Sequence, residues 1–322
     1  MARDTLEVLI RERTELAAGV LGLELVAPDG GALPAADPGA HIDLVLPSGR
    51  VRQFSLCTPD GRAGTWRIAV LREPEGRGGS VEVHDELAVH TRLRVAGPRN
   101  RFPLLPADDL LFIAGGIGIT PLLPMLAEAE RRGCRWRLVY GGRARASMAF
   151  LPELARYGDR VTVVPQDEYG LLDLDGPLSV MPAGGRVYCC GPEPLLQAVQ
   201  QRCATLPRLT LHTERFTAGA CAAAPGRADT GFDDTGFEAV LERSGRSVPV
   251  PAGTSVLDAL REAGVAVLAS CEEGTCGTCE TTVLEGTVDH RDSLLTQEER
   301  DAGDLMLICV SRSRGPRLVL DL

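Results

Sequence analysis

The apolar positions of this chain change their period twice. Up to about residue 104 they alternate with polar residues or fall in short β-branched runs. Leu21–Val26, His41–Leu46, Val51–Leu56 and Trp66–Leu71 are such runs, separated by Pro, Gly and Asp turns. That pattern predicts a small antiparallel barrel. From Asp109 the rhythm becomes strand then helix. Strands are expected at Leu110–Ala114, Arg137–Tyr140, Val161–Val164, Val187–Cys190 and Arg208–His212, with helices over Leu122–Arg131 and Pro194–Cys203 among them. Alternation of this kind predicts a doubly wound parallel sheet. Thr217–Gly236 has no apolar period and reads as a linker. Beyond it a hairpin turns at Ser244–Gly245, and a helix over Ser255–Ala263 stops at Gly264. A strand at Thr281–Leu284, a short helix capped by Thr296, and strands near Met306–Val310 and Leu318–Leu320 complete a sheet crossed by one helix, a β-grasp arrangement. The expected division is therefore a β-barrel over 1–104, an α/β domain over 105–228, a linker over 229–236 and a third domain over 237–322.

Composition narrows the class. A chain of 322 residues with 44% hydrophobic and 24% charged content is an ordinary multidomain globular protein. A net charge of −10 argues against a nucleic-acid partner. Residues 237–322 hold 8 Arg against 15 Asp and Glu, so most of the excess lies there. An acidic tail suits docking to a basic redox partner, and it equally suits a merely solvated surface. All 34 basic residues are arginine, which biased codon usage explains as well as function does. The N-terminus, MARDTLEVLIRERTEL, has scattered charges and no apolar core, so no signal peptide is expected. Leu110–Ala127 lacks charge, but its three glycines and two prolines argue against a membrane helix. A cytoplasmic monomer away from the membrane is the expectation, with cysteines reduced unless they bind iron.

Four cysteines carry the sharpest chemical signal. Cys271-x4-Cys276-x2-Cys279, followed by Cys309, has the spacing of a plant-type ferredoxin loop holding a 2Fe-2S cluster. Gly274 and Gly277 between the ligands let a short loop wrap a cluster and aim N–H groups at its sulfides. Structural zinc usually takes two C-x2-C pairs, and a Rieske centre needs two histidines near cysteines; the chain offers neither pattern. His290, Arg312 and Arg314 read as solvated surface.

Two upstream segments look like anion sites. Arg52-Gln53-Phe54-Ser55-Leu56 sets a forked cation and a hydroxyl on one strand. Arg77-Gly78-Gly79-Ser80 precedes an expected helix over Val81–Leu87, with Ser80 as its N-cap and the first-turn N–H groups facing a phosphate. Ala114-Gly115-Gly116-Ile117-Gly118-Ile119-Thr120-Pro121 joins a strand to a helix. It approximates the glycine-rich turn of dinucleotide folds without matching G-x-G-x-x-G. Cys190-Gly191-Pro192 ends a later strand at the carboxyl edge, where Cys190 is placed beside a nicotinamide.

In this order RQFSL, GRGGS, GGIGITP, YCCGP, HTERF and CEEGTCGTC resemble the phthalate dioxygenase reductase family of the ferredoxin–NADP reductase superfamily, over nearly the whole chain. The resemblance implies a flavin-binding barrel, a nucleotide-binding α/β domain and a C-terminal plant-type ferredoxin. It implies FMN as the flavin, with Arg52 and Ser55 contacting it and Gly79 and Ser80 helping to hold its phosphate. Gly116 and Thr120 would line the flavin–nicotinamide junction, and Glu214 and Phe216 would lie near the isoalloxazine. Phe54 stands where the family carries tyrosine, which removes a hydroxyl contact. The function implied is transfer of electrons from NADH through FMN and the 2Fe-2S cluster to a terminal oxygenase, Rieske-type by resemblance. A haem-thiolate monooxygenase is an alternative acceptor. A ferredoxin-like carrier that binds no nucleotide is a second alternative, opposed by the GGIGITP and CGP segments. NADH is preferred by resemblance only, because Arg143 and Arg145 after the second α/β strand could welcome the 2′-phosphate of NADPH.

Overall fold

The computed structural model describes residues 5–58, 64–216 and 235–322. The described chain divides into two compact units. Leu6–Arg50 and Phe54–Phe216 make one; Thr5, Val51–Gln53 and residues from 235 onward belong to the other.

The N-terminal sheet runs β1 (Thr5–Ala17), β2 (Val20–Val26), β3 (Ala40–Val45), β4 (Val51–Ser55), β5 (Thr65–Leu71) and β6 (Arg92–Asn100), in spatial order β4-β3-β6-β1-β2-β5. Its β1–β2, β2–β5 and β3–β6 pairs are antiparallel. Past β4 the amide of Cys57 donates to Arg67 O at 2.8 Å, which turns the sheet back toward β5. Ile10, Leu23, Leu25, Ile42, Leu44 and Ile68 fill the interior with no exposure, the inward half of the alternation read in the sequence. Strands β1 and β6 were not foreseen: the charged run Arg11–Arg13, with Glu7 and Glu15, obscures the strand that buries Val8 and Ile10. Helix α1 (Gly79–Glu86) lies between β5 and β6.

The parallel sheet holds β7 (Asp109–Gly115), β8 (Arg135–Gly142), β9 (Val161–Pro165), β10 (Arg186–Cys190) and β11 (Thr210–Glu214), in order β11-β10-β7-β8-β9. All four pairings are parallel. Helices α2 (Leu122–Arg131), α3 (Leu151–Leu154), α4 (Gln166–Tyr169), α5 (Asp175–Ser179) and α6 (Glu193–Ala204) connect them. The first strand, β7, is central and the chain builds outward on one side and then the other. The strand order therefore reverses between β7 and β10, where open α/β sheets form a ligand crevice at their carboxyl edge. Helix α2 buries Leu122, Leu123, Met125, Leu126 and Ala129 on one face, in a core with Phe112 and Trp136. Strand β11 lies two residues later than the expected Arg208–His212, and this shift carries Glu214 onto the sheet edge.

The C-terminal unit contains β12 (Phe237–Leu241), β13 (Arg246–Val250), α7 (Val256–Glu262), β14 (Glu280–Glu285), β15 (Val288–Asp289), α8 (Gln297–Ala302), β16 (Leu305–Leu307), β17 (Arg312–Ser313) and β18 (Arg317–Leu320). Its main sheet has the order β13-β12-β18-β14-β16, with β12 and β18 parallel. Ser255 caps α7 by accepting from Asp258 N, and Thr296 with Glu299 forms a capping box on α8. Most of the segment expected to link the last two domains lies outside the described residues. Among the described residues no helix is long and apolar enough to cross a membrane.

Candidate functional site

Three strand ends meet at the switch point. Ala114, Cys190 and Glu214 are register partners across β7, β10 and β11. The segments after β7 and β10 press together so closely that side chains are excluded. A Cβ on Gly118 would lie 2.2 Å from Cys190 O, one on Gly115 would lie 2.7 Å from Pro192 Cδ, and one on Gly191 would lie 2.9 Å from Gly115 Cα. These glycines permit the approach of one strand end to another. Gly116 differs: it has φ 54° and nothing within 4 Å of a Cβ position, so its backbone faces open space. The segment Gly116–Ile119 is a 3-10 turn, Thr120 is 2% exposed with its hydroxyl donating to Ile117 O at 3.0 Å, and α2 starts one residue after Pro121. Pro192, at the mouth of the crevice, precedes α6.

Ser55, at the end of β4, donates from its hydroxyl to Glu214 Oε2 at 3.4 Å. Ser55 is buried at 6% exposure. Withdrawal from water pushes the Glu214 carboxyl up to about 8, with the Ser55 hydroxyl pulling partly back. Cys190 is fully buried, and burial raises its thiol well above the ordinary range, with Glu214 and Cys189 adding to the rise. It is therefore a neutral wall of the crevice, not a nucleophile. Phe216, two residues beyond Glu214, is 45% exposed and available to cover a planar ligand.

The expected phosphate segment is built differently from its reading. Helix α1 begins at Gly79, and its N-cap is Gly78 at φ 77°, a left-handed conformation that favours glycine. Ser80 is not the cap: its hydroxyl accepts from Glu73 N at 3.0 Å, fixing the loop before the helix. Gly79 is buried and Arg77 exposed. On β4, Arg52 donates to Val51 O at 2.8 Å and Phe54 packs on the barrel core; just beyond it, the Leu56 amide donates to Ala40 O at 2.8 Å.

Three residues here escaped the sequence reading. Glu82, on the first turn of α1, is 4% exposed and accepts from Ser48 N at 2.8 Å and Arg50 Nη1 at 3.2 Å. Burial alone would raise its carboxyl, but the Ser48 and Arg50 hydrogen bonds outweigh it and hold the pKa below the usual range. The pair sets Arg50 beside Gly78, whose Cβ position is 3.9 Å from the guanidinium carbon. Arg67 of β5 makes two 2.8 Å bonds to the carboxylate of Glu153 and tethers the barrel to α3. An isolated charge in an alternating strand gives no sign of such a partner.

In the C-terminal unit the four predicted thiols converge. Cys271, Cys279 and Cys309 are buried, and Cys276 is partly so. The Cys276 and Cys309 thiols lower that of Cys271, which raises theirs in turn, and Cys279 adds to the rise at Cys309. The loop turns through Glu272 at φ 60° and through Gly274 and Gly277 at φ 71°. Glu272 is a non-glycine residue in the left-handed region, and Arg261 of α7 holds its carboxylate at 2.7 Å. The result aims amides at sulfur: Glu273 N lies 3.4 Å from Cys271 Sγ, Thr278 N lies 3.4 Å from Cys276 Sγ, and the Gly274 amide donates to Cys309. Four enclosed thiols with N–H donors are the donor set that a 2Fe-2S cluster takes.

Two residues read as solvated surface are not. Arg312 is 4% exposed, donates to Thr235 O and Pro251 O at 3.1 Å each, and lies 5.2 Å over the Phe237 ring. Its stem and head tie β17 to the start of the domain. The His290 side chain is 9% exposed and stands 3.6 Å from Asp292 Oδ1. Arg314, at 50% side-chain exposure, does face solvent.

Comparison with known proteins places this geometry. The family model described as a 2Fe-2S iron-sulfur cluster binding domain matches residues 239–314. The phenoxybenzoate dioxygenase subunit beta of Ectopseudomonas oleovorans is 45% identical over 94% of this chain and 93% of its own. The solved phthalate dioxygenase reductase, described as a modular structure for electron transfer from pyridine nucleotides to a 2Fe-2S centre, is 35% identical. It covers 99% of this chain and 98% of its own, with a TM-score of 0.70. The chain belongs to the phthalate dioxygenase reductase family. The reductase is thus an oxidoreductase with flavin- and nucleotide-binding modules and a 2Fe-2S domain, of the kind that serves oxygenases. It also matches the intact structure of a type IV self-sufficient cytochrome P450 monooxygenase at a TM-score of 0.85 and 42% identity, covering 99% of this chain and 41% of that one.

Proposed function

We propose that this reductase takes electrons from NADH and passes them through FMN and a 2Fe-2S cluster to the oxygenase protein of an aromatic-oxidising system, Rieske-type, in the cytoplasm and as a monomer. A bound flavin accepts a hydride as an electron pair and releases electrons singly, matching a nicotinamide donor to a one-electron cluster. The supporting observation is the convergence of Ser55, Cys190 and Glu214 at the switch point, within one unit that also holds the Gly78–Gly79 turn. Ser55 and the protonated Glu214 offer hydrogen bonds to a ring edge, Cys190 and Thr120 close the crevice to water, and Gly116 leaves room for the nicotinamide side. Arg52, Arg77 and the first turn of α1 would neutralise the flavin phosphate. The four cysteines would hold the cluster, with their amide donors tuning its potential. The relatives act with oxygenase proteins by name, which supports the partner.

Arg145 is engaged in a two-bond pair with Glu168, at 3.0 and 2.8 Å. Asp167 N also donates to Arg143 O at 3.2 Å, which brings the segment after β9 against the one after β8. Acid therefore stands beside the arginines at the carboxyl edge, favouring a ribose hydroxyl over a 2′-phosphate.

Anaerobic titration with NADH, followed by absorbance and electron paramagnetic resonance, tests the reading. Bleaching of a flavin band followed by a one-electron iron–sulfur signal is expected; protein that binds no flavin or is not reduced by NADH overturns it. The match to the self-sufficient monooxygenase favours a second acceptor, a haem-thiolate protein. Product formation with a purified Rieske oxygenase and not with a purified haem-thiolate monooxygenase decides for the first acceptor, and the reverse decides for the second.

A further inference from the structure

Beneath the cysteine loop lies the buried carboxylate of Asp292. Asp292 has no side-chain exposure. Its Oδ2 accepts from Leu294 N at 3.1 Å and Leu295 N at 2.8 Å, with Arg300 Nη2 at 3.5 Å. Its Oδ1 accepts from the fully buried Ser311 hydroxyl at 3.5 Å and faces His290 Nδ1 at 3.6 Å. Arg300, on α8, also donates to Asp292 O at 2.6 Å. The turn fixed in this way bears directly on the loop. Ser293 N donates to Gly274 O at 3.0 Å. A Cβ on Gly274 would lie 3.0 Å from Asp292 Cα, and one on Gly277 would lie 2.8 Å from Leu294 Cδ2. Both loop glycines thus rest on residues whose backbone the Asp292 carboxylate organises.

We propose that Asp292 is a positioning residue of the cluster, acting through Gly274 and Gly277, and that its buried charge also disfavours the extra electron of the reduced cluster. This rests on the assignment of Cys271, Cys276, Cys279 and Cys309 as cluster ligands. A carboxylate removed from water acts over a longer range than a surface one, and the net charge around an iron–sulfur centre is among the determinants of its potential. Arg300, paired with the same carboxylate oxygen as the Leu294 and Leu295 amides, carries the opposite charge and has the reverse effect on the cluster. The two charges should therefore pull the potential in opposite directions, which a purely structural part in folding would not do.

The test uses the complete holoprotein and its D292N, D292A and R300Q variants. Asn matches the shape of Asp and keeps an oxygen for the Leu294 and Leu295 amides. D292N is expected to retain wild-type iron and sulfide and to shift the reduced-to-oxidised cluster ratio at a fixed solution potential upward by about fivefold. R300Q should move that ratio down. D292A, which releases the turn, should change the g-values of the reduced cluster. Unchanged ratios in D292N and R300Q, or a shift in the same direction in both, overturn the charge role. A D292A spectrum identical to wild type overturns the positioning role. Should D292N lose its cluster, R300Q carries the charge test, and an upward or absent shift there refutes it. A wild-type protein with no iron–sulfur signal instead removes the ligand assignment, which separates the two failures.

Discussion

The crevice in the first unit and the cysteine loop in the second, each proposed above as the seat of an electron carrier, are assembled by opposite means. In the crevice the groups come from far apart in the chain: Ser55 ends β4, Gly115–Thr120 follow β7, Cys190 ends β10 and Glu214 ends β11. Parallel register aligns them, and glycine permits their approach. In the loop three of the four cysteines lie within nine residues, and local backbone geometry suffices to close it. A site assembled by register fails through packing, whereas a site assembled by a loop fails by losing its ligand. The two should therefore be separable by mutation.

The largest effect is expected from Cys309→Ser. A hydroxyl is a poor substitute for thiolate toward iron, so the cluster should be lost or unstable. Iron analysis should show depletion, and delivery of electrons to the oxygenase should fall by about a hundredfold or more, at least the upper end of what losing an outer-shell partner costs a metal site. NADH should still bleach the flavin at nearly the native rate, because the crevice shares no residue with the loop. Loss of flavin reduction in this variant would mean that the two sites are not independent.

Gly118→Ala attacks the crevice in the complementary way. The new methyl would sit 2.2 Å from Cys190 O, a backbone atom that cannot swing aside. The ends of β7 and β10 must separate, at a cost of about 1–3 kcal/mol typical of overpacking. Stopped-flow reduction by NADH should slow by about tenfold or more, by the same energy scale. The iron–sulfur spectrum should be unaltered. Gly116→Ala, with open space around it but positive φ, should cost less.

Glu168→Ser sharpens the comparison at the outer edge of the same sheet. It frees Arg145 from its carboxylate partner, so the ratio of kcat/KM for NADPH to that for NADH should rise by about three- to tenfold, the scale of one exposed charge contact. The exposure of the pair, 50% and 38%, keeps the effect modest. An unchanged ratio would place the 2′ position elsewhere.

How much was legible in the sequence follows the same division. The four-cysteine pattern, the three folds and the glycine-rich turn were readable because their signals are local or periodic. Buried charges were not. Asp292 and Arg312 look like any polar residues in a polar segment, and only the fold brings Leu294 N, Thr235 O or Pro251 O to meet them. Glu82 is similar: at the start of a helix it reads as a solvated acid, yet Ser48, distant in sequence, encloses it. The glycines of GGIGITP were located correctly, but their physical use was only half visible. Gly118 and Gly115 face protein backbone or side chain, and that contact comes from a strand about seventy residues later.

The most diagnostic effect concerns Glu214. Its carboxyl is pushed up to about 8 by burial, against an ordinary 4.5. Between those values the folded protein retains a proton that the unfolded chain has released. Stability from this group is therefore complete below about pH 4.5 and declines as pH rises through 8. Over that window the wild type should lose on the order of 2 kcal/mol relative to Glu214→Gln, allowing for solvent at the partly exposed edge of the crevice. Denaturant midpoints at pH 5 and pH 8.5 measure the difference. The rate of flavin reduction should show a matching inflection near 8 in the wild type and lose it in the Gln variant, which keeps a hydrogen-bond donor but does not titrate. The cysteine loop should be indifferent to this substitution: its iron content and spectrum should follow the wild type at both pH values. A Gln variant that retains the inflection would assign the titration to another group and leave Glu214 only its packing.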